Sequence, residues 1–196
     1  MKLEEFISNY DKTDTIVLLE GKRNVLESEK EKLIKLGKLL TSRTTKMQFR
    51  SGNANGSDNF FAQGVALIDK NRLEVITPYT GHRKKANNAY KTYSLDDINL
   101  ANEPELIYQS KSNKKTENLI DRYVDGKRDK HSIKAAYIIR DTIKVLGAEN
   151  IKPANLGIFY DDLGNPKQGG TGHTMKVCEQ NNIPVIDQTI WFGWLK

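Results

Sequence analysis

The sequence of 196 residues suits one folded domain with a sizeable core. Apolar residues make up 37% and charged residues 29%, which excludes a disordered chain, and no apolar run approaches the roughly 20 residues that span a bilayer. The net charge of +6 attracts anions, but acidic residues are interleaved with the lysine clusters, so an ordinary solvated surface explains them more simply than nucleic-acid binding.

In the first half of the chain, short β-rich apolar runs alternate with stretches of helical period, which is typical of parallel β-α-β construction. Three strands are predicted here, at residues 15–19, 47–49 and 73–77. The helix after the first strand places Leu33, Leu36 and Leu40 on one face. A second helix is predicted at residues 57–68, with Ser57 as its N-cap.

The second half becomes regular only after an irregular stretch. Residues 78–115 mix tyrosines with basic residues and predict an excursion from the same domain, with one short strand at 106–108. A helix ended by Gly147 is then predicted from an apolar stripe of Ile133, Ala136, Ile139, Ile143 and Leu146. The remaining elements are helices at 117–124 and 174–180 and strands at 156–160 and 183–186, the last at a sheet edge because of Pro184.

These elements together predict an α/β fold, a Rossmann-like three-layer sandwich around a mostly parallel central sheet. We expect residues 1–196 to form this single domain. The tail carries Trp191, Phe192 and Trp194, which are expected to pack back onto the domain. A homo-oligomer contact through this aromatic tail is the alternative.

The start of the chain and the cysteine content both indicate a reducing compartment. Glu4 and Glu5 stand among the first apolar residues, unlike the layout of a secretory signal. Cys178 has no second cysteine with which to form an internal disulfide or a cysteine-based metal site. We therefore expect a cytoplasmic protein that holds no metal and has no membrane partner.

Polar and glycine-rich loops follow the predicted strands. Ligands of an open parallel sheet bind beyond the carboxyl ends of its strands, where helix N-termini present unpaired N–H groups. The candidate ligand-binding residues are Gly21, Lys22, Arg23, Asn24, Ser51, Gly52, Asn53, Ala54, Asn55, Gly56, Ser57, Asp58, His82, Arg83, Gly169, Gly170, Thr171, Gly172, His173 and Thr174. Arg50 is a further candidate cation. Tyr79 or Phe61 is a candidate for stacking on a base, and membership of the core is the equal alternative for each. The loops predict a pocket for a phosphate-bearing, nucleotide-like ligand, with no cofactor required.

Neither glycine loop contains a P-loop lysine motif or the dinucleotide-binding fingerprint. The turn at residues 51–58 (SGNANGSD) and the later turn at 169–174 (GGTGHT), followed by Ile183-Pro184-Val185, instead resemble those of the SLOG superfamily. This Rossmann-like group includes the LOG phosphoribohydrolases and DNA-processing protein A. The resemblance implies a small stand-alone member that binds nucleotides or nucleotide-derived signals at these loops.

The enzymatic SLOG members place a glutamate soon after the second glycine turn, but here the matching stretch ends in Lys176, and Glu179 lies further along. Cleavage of an N-glycosidic bond needs a carboxylate, for which Asp58 and Asp161, or its neighbour Asp162, are candidates. His173 is a candidate phosphate ligand or acid/base.

Three functions remain open from the sequence. The favoured one is binding of a nucleotide-derived small molecule by a sensor or sequestering protein. The alternatives are a nucleoside-phosphate hydrolase or transferase acting on an N-glycosidic bond, and a nucleic-acid-binding module that uses the lysine clusters.

Overall fold

The computed structural model describes residues 1–196 and is built around a six-stranded sheet. Its strands are β1 (Ile16–Gly21), β2 (Gln48–Ser51), β3 (Leu73–Thr77), β4 (Lys91–Ser94), β5 (Leu156–Tyr160) and β6 (Val185–Ile186). The order across the sheet is β4-β3-β2-β1-β5-β6, and every neighbouring pair is parallel. Strand β1 lies in the middle, where Val17 is paired with Phe49 on one side and with Leu156 on the other.

Eight helices cover the two faces of the sheet. They are α1 (Leu3–Tyr10), α2 (Lys30–Arg43), α3 (Ser57–Asp69), α4 (Pro104–Ser110), α5 (Lys114–Val124), α6 (Ser132–Leu146), α7 (Gly169–Gln180) and α8 (Gln188–Trp191). Helices α1, α2, α3 and α8 form one core with the sheet, and α4 to α7 form the core of the opposite face. The predicted Rossmann-like three-layer arrangement is confirmed, and its sheet is entirely parallel.

The alternation of side chains along β1 shows how the two cores share one strand. Val17 and Leu19 are fully buried against α2 and α3, whereas Leu18 is buried on the face that carries α6 and α7. A strand covered on both faces reads as a continuous apolar run, because each position is buried. Full burial of each leucine stabilises the fold by about 1.5–3 kcal/mol before entropy is counted.

The excursion at residues 78–115 differs from its prediction. Residues 106–108 belong to helix α4, so the predicted strand is wrong: Pro104 sets the first helical turn, Leu106 is buried and Tyr108 is exposed. A short apolar run cannot by itself separate a strand from a helix. Strand β4, which was not predicted, pairs with β3 and forms the sheet edge.

Three details at helix ends also differ. Gly56, with φ of +83°, occupies the N-cap position of α3, and Ser57 instead donates its hydroxyl to the carbonyl of Lys22 at 2.7 Å. Helix α7 begins at Gly169, so the second glycine turn is the first turn of a helix rather than a loop before residue 174. Ile133, predicted on the apolar stripe of α6, is 50% exposed because it lies in the first turn, beyond the core.

The aromatic tail packs against the domain that carries it. Trp191 is fully buried in the core with α2 and α3, and its indole N–H donates to the Phe159 carbonyl at 2.9 Å. The indole N–H of Trp194 donates to the Met1 carbonyl at 3.1 Å. The homo-oligomer contact through this tail stays a prediction. None of the helices combines the length and the apolar character needed to cross a membrane.

Candidate functional site

A cleft of about 1070 Å³ opens at the carboxyl ends of β1 and β5. The turn after β1, residues 54 and 58 of the first glycine turn, and the start of α7 all line it, together with parts of α5 and α6. Ten of the predicted ligand-binding residues face this space, namely Gly21, Lys22, Arg23, Ala54, Asp58, Gly169, Gly170, Thr171, Gly172 and His173. The structure therefore brings the two glycine turns to one edge of the sheet, where the sequence places them.

The other ten predicted residues lie outside the lining of the cleft. They are Asn24, Ser51, Gly52, Asn53, Asn55, Gly56, Ser57, His82, Arg83 and Thr174. Several of them hold the wall of the cleft in place: the Asn53 amide donates to the His82 carbonyl at 3.1 Å, and Arg83 donates to the Asn53 carbonyl at 3.3 Å. Gly52 packs directly against the Arg140 guanidinium, since a Cβ at this glycine would lie 1.8 Å from Arg140 Nη1.

The first glycine turn already holds an anion of its own. Asp58 Oδ2 accepts hydrogen bonds from the backbone N–H groups of Gly52 at 3.1 Å and of Ala54 at 3.3 Å. Backbone N–H groups arranged in this way are those that bind a phosphate in other turns. A phosphate at this turn would have to compete with the Asp58 carboxylate for the same donors.

The start of α7 is different, because its N-cap residue Gln168 supplies no side-chain hydrogen bond to the first turn. Gly169 and Gly170 are exposed at the cleft and their N–H groups make no hydrogen bond within the protein, so the positive end of the helix dipole is open. Asp141 lies below, with Oδ2 3.0 Å from where a Cβ of Gly170 would be. The amides of this turn are the better candidates for contacting an anionic group.

Five charged side chains form a buried layer under the cleft. Lys144 Nζ lies 2.6 Å from Glu20 Oε1 and 2.8 Å from Asp141 Oδ1. Arg140 Nε lies 3.1 Å from Asp141 Oδ1, and Arg140 Nη1 donates to the Gly52 carbonyl at 2.5 Å. With Asp58, three carboxylates face two cations, and each of the five residues is at most 5% exposed. We call Glu20, Asp58 and Asp141 the acidic floor.

The pKa values of Glu20 and Asp141 shift in opposite directions. Burial, together with the negative charges of Asp58 and Asp141, raises the pKa of Glu20 to about 7, against the attraction of Lys144. Burial also acts to raise the pKa of Asp141, but Arg140 and Lys144 prevail and lower it. Glu20 therefore changes charge near neutral pH.

We expect Glu20→Gln to change how stability depends on pH. Because the folded pKa of Glu20, about 7, lies above its ordinary value of 4.5, folding favours the protonated carboxyl. The wild type therefore loses stability from this group as pH rises from about 4.5 to about 7, and the glutamine variant does not. In urea unfolding, the free energy of unfolding of the variant should rise relative to that of the wild type across this pH range. The exposed Glu31→Gln control should follow the wild type. Parallel curves for all three proteins would contradict the assignment.

His173 lines the cleft above this layer. Its Nε2 lies 2.9 Å from the Thr142 hydroxyl, which also accepts from Ser110. Burial, with the positive charges of Lys144 and Lys176, lowers the pKa of His173 despite the attraction of Asp141. The imidazole is thus neutral at physiological pH, so one ring nitrogen donates a hydrogen bond and the other accepts one.

Of the candidate catalytic carboxylates, only Asp58 lines the cleft. Asp161 is buried away from it, and its Oδ2 accepts from the Lys167 backbone N–H at 2.7 Å. Asp162 is exposed and lies 3.5 Å from Lys22 Nζ. Cleavage of an N-glycosidic bond by Asp58, Asp161 or His173 stays a prediction.

Three residues that the sequence offered for this site lie elsewhere, and Phe61 takes its alternative place in the core. Arg50 does not reach the cleft, because its guanidinium is buried between Glu74, at 2.6 Å, and the carbonyls of Lys144 and Lys152. Phe61 is fully buried in the core beside Trp191 and has no surface for a base. Tyr79 does not line the cleft either.

The aromatic residue that does line the cleft is Tyr137, which no pattern in the sequence singles out. Two guanidinium groups lie near the Tyr137 ring on α6, with Arg23 Cζ 5.8 Å and Arg140 Cζ 5.4 Å from its centre. A planar group entering the cleft can stack on this ring or on the arginines beside it.

No protein-family model matches the chain, and no curated protein matches it. One similar solved structure is that of DNA processing protein A from Helicobacter pylori, described for its single-stranded DNA binding mode. The two share 14% sequence identity and superpose with a TM-score of 0.50 over 89% of this chain. The chain spans 65% of the length of that protein. The likeness shows a common Rossmann-like fold, and membership of the SLOG superfamily stays a prediction.

Proposed function

We propose that the protein binds a nucleotide or another phosphate-bearing, nucleotide-derived small molecule in this cleft, as a sensor or sequestering protein. The observation that carries the proposal is the charge of the lining. Nine cationic side chains face the cleft against three carboxylates. The cations are the buried Arg140 and Lys144 and a basic rim of Lys22, Arg23, Lys114, Lys130, Lys134, Lys167 and Lys176.

The basic rim and the start of α7 supply complementary contacts for an anion. Lys114, Lys130 and Lys134 are exposed and make no ion pair, so their charges are free to meet a phosphate. The open N–H groups at Gly169 and Gly170 add short-range donors that a diffuse positive surface lacks. Tyr137 offers a surface for a base within the same cleft.

The proposal is tested by titrating nucleoside monophosphates and ADP-ribose-type compounds while following thermal unfolding, since a ligand of the folded state raises its melting temperature. Lys134→Gln should weaken binding about three- to tenfold by removing one rim charge. Lys35→Gln, an exposed lysine on α2 away from the cleft, is the matched control and should bind like the wild type. No stabilisation by any compound would refute the proposal.

Single-stranded nucleic acid is the second candidate ligand, favoured by the description of the structurally similar protein and by the exposed lysines of the basic rim. It predicts that a labelled oligothymidine binds with an affinity that falls steeply as salt rises, because phosphate contacts release counterions. Binding of the oligomer without binding of any mononucleotide would favour this candidate over the first.

A further inference from the structure

Two arginines beside the first glycine turn have no anionic partner. The Arg23 side chain, after β1, forms neither an ion pair nor a hydrogen bond, and Arg83, after β3, donates one hydrogen bond, to the Asn53 carbonyl at 3.3 Å. Every other arginine of the chain forms an ion pair or donates to two or more carbonyls. Since a guanidinium carries several N–H donors, most donors of this pair are available to a ligand.

The two arginines contact opposite ends of the first glycine turn. A Cβ at Gly56 would lie 2.1 Å from the Arg23 carbonyl oxygen, so the loop after β1 packs against the end of the turn. At its start, Asn53 is bonded to Arg83, and both residues have a left-handed backbone, with φ of +51° and +46°. Residues other than glycine adopt this conformation rarely, and it recurs at ligand sites. The N–H groups of Asn55 and Gly56, between these contacts, make no hydrogen bond within the protein.

The same region is positively charged. No carboxylate of the acidic floor lies within ion-pair distance of Arg23 or Arg83. His82 is buried beside them, with its ring centre 5.6 Å from that of Tyr137, and Arg23 Cζ lies 5.8 Å from the same tyrosine ring. Burial, together with the positive charges of Arg140, Arg83 and Arg23, lowers the pKa of His82 to about 4. The unprotonated imidazole thus indicates that the protein supplies no anion to balance Arg23 and Arg83.

We propose that Arg23 and Arg83 form a second anion site at the edge of the cleft, and that the ligand carries two anionic groups held apart by a nucleoside, as in a nucleoside 3′,5′-bisphosphate. The first group binds at the start of α7 and the lysines of the basic rim, so this inference rests on the proposed function. Helix α7 follows β5, whereas Arg83 follows β3, three strands away in the sheet order. Strands spaced about 4.8 Å apart put these strand ends roughly 14 Å apart, which is too far for the adjacent phosphates of a diphosphate.

The test measures affinity by isothermal titration calorimetry at one ionic strength, with three ligands of the same base. They are the nucleoside 5′-monophosphate that gives the largest thermal shift, its 5′-diphosphate and its 3′,5′-bisphosphate. The bisphosphate should bind about 10- to 100-fold more tightly than the monophosphate, because its second phosphate gains charge-assisted hydrogen bonds. The diphosphate should gain much less, because its second phosphate stays beside the first.

Variants test whether the second phosphate contacts these arginines. Arg83→Gln should reduce the preference for the bisphosphate about three- to tenfold, and Arg23→Gln should act in the same way. Lys84→Gln, at the exposed residue next to Arg83, is the matched control, because it removes the same charge from the same loop and should keep the preference. Thermal unfolding verifies that each variant is folded. The Arg23 side chain makes no hydrogen bond that folding could require, so Arg23→Gln keeps the test valid if Arg83→Gln is unstable.

The results separate the second anion site from nucleotide binding itself. If no nucleotide binds, the proposed function fails and the second site fails with it. If the monophosphate binds and the bisphosphate binds no more tightly, the second site is overturned and the proposed function stands. An equal gain for the diphosphate, or an equal loss of preference in Lys84→Gln, would also overturn the second site, since the positive charge would then act from a distance.

Discussion

We expect Lys144→Met to lower the free energy of unfolding by about 3–5 kcal/mol, because it leaves two buried carboxylates without their cation. Lys144 Nζ lies within 2.8 Å of both Glu20 and Asp141, and all three side chains are at most 7% exposed. Arg140 compensates Asp141 in part, but no other cation lies as close to Glu20. The measurement is urea unfolding at a pH above 7.

The control for this prediction is Lys152→Met, which removes an ion pair of similar length from the surface. Lys152 and Asp14 are 2.5 Å apart, but their side chains are 62% and 67% exposed. Solvent screens such a pair, so the change should cost less than about 1 kcal/mol. The two variants make the same chemical change, so their difference reports burial. A loss of similar size in both would contradict the buried layer under the cleft.

The Lys144→Met variant should also recover stability in acid. Without Lys144, the pKa values of Glu20 and Asp141 rise in the folded state, because burial is no longer opposed by this positive charge. Protonated carboxyls need no cation. The deficit relative to the wild type should therefore shrink as pH falls toward about 5.

Trp191→Ala should lower the free energy of unfolding by about 3–5 kcal/mol through the cavity it leaves. The indole is fully buried, its ring centre lies 5.8 Å from that of Phe61 and 4.6 Å from that of Phe192, and its N–H donates to the Phe159 carbonyl. Alanine removes the packing and leaves that carbonyl without its donor. Thermal and urea unfolding measure the loss.

Ile190→Ala is the neighbouring control, because Ile190 is 38% exposed and its removal should change stability by no more than about 0.5 kcal/mol. The same two variants also test whether the aromatic tail forms a contact between copies of the protein. If Trp191 serves its own domain, the loss in Trp191→Ala is the same at every protein concentration. A loss that appears only at high concentration would show that the tail acts between copies.

The sequence predicts the fold well wherever a helical or strand period extends over several turns or residues and turn residues mark its ends. The leucines at positions 33, 36 and 40 are all fully buried, as their spacing indicates. Strand β4 cannot be predicted from the sequence, because it has neither an apolar run nor a clear alternation. It lies at an edge of the sheet, and its first two residues are exposed. The three apolar residues at 106–108 define no period, so they predict a strand as readily as the helix α4 that they form.

The site was readable only where it consists of loops. Glycine and polar residues after a predicted strand indicate the two glycine turns, and both turns contribute residues to the cleft. Arg140 and Lys144 flank the apolar stripe of α6, and Asp141 lies on the far side of the helix from it. Charged residues at such positions are expected in solvent. The structure buries them because that side of α6 faces the end of β1, and only the fold can bring Glu20 there.

The middle position of β1 has a consequence for how the protein is made. One edge of this strand is satisfied early, by residues 48–50, but the other waits for residues 156–160, about 140 positions later. While the polypeptide is being synthesised, this central, apolar strand exposes a row of unpaired N–H and C=O groups. We therefore expect a nascent or truncated product that lacks β5 to aggregate more readily than the whole chain.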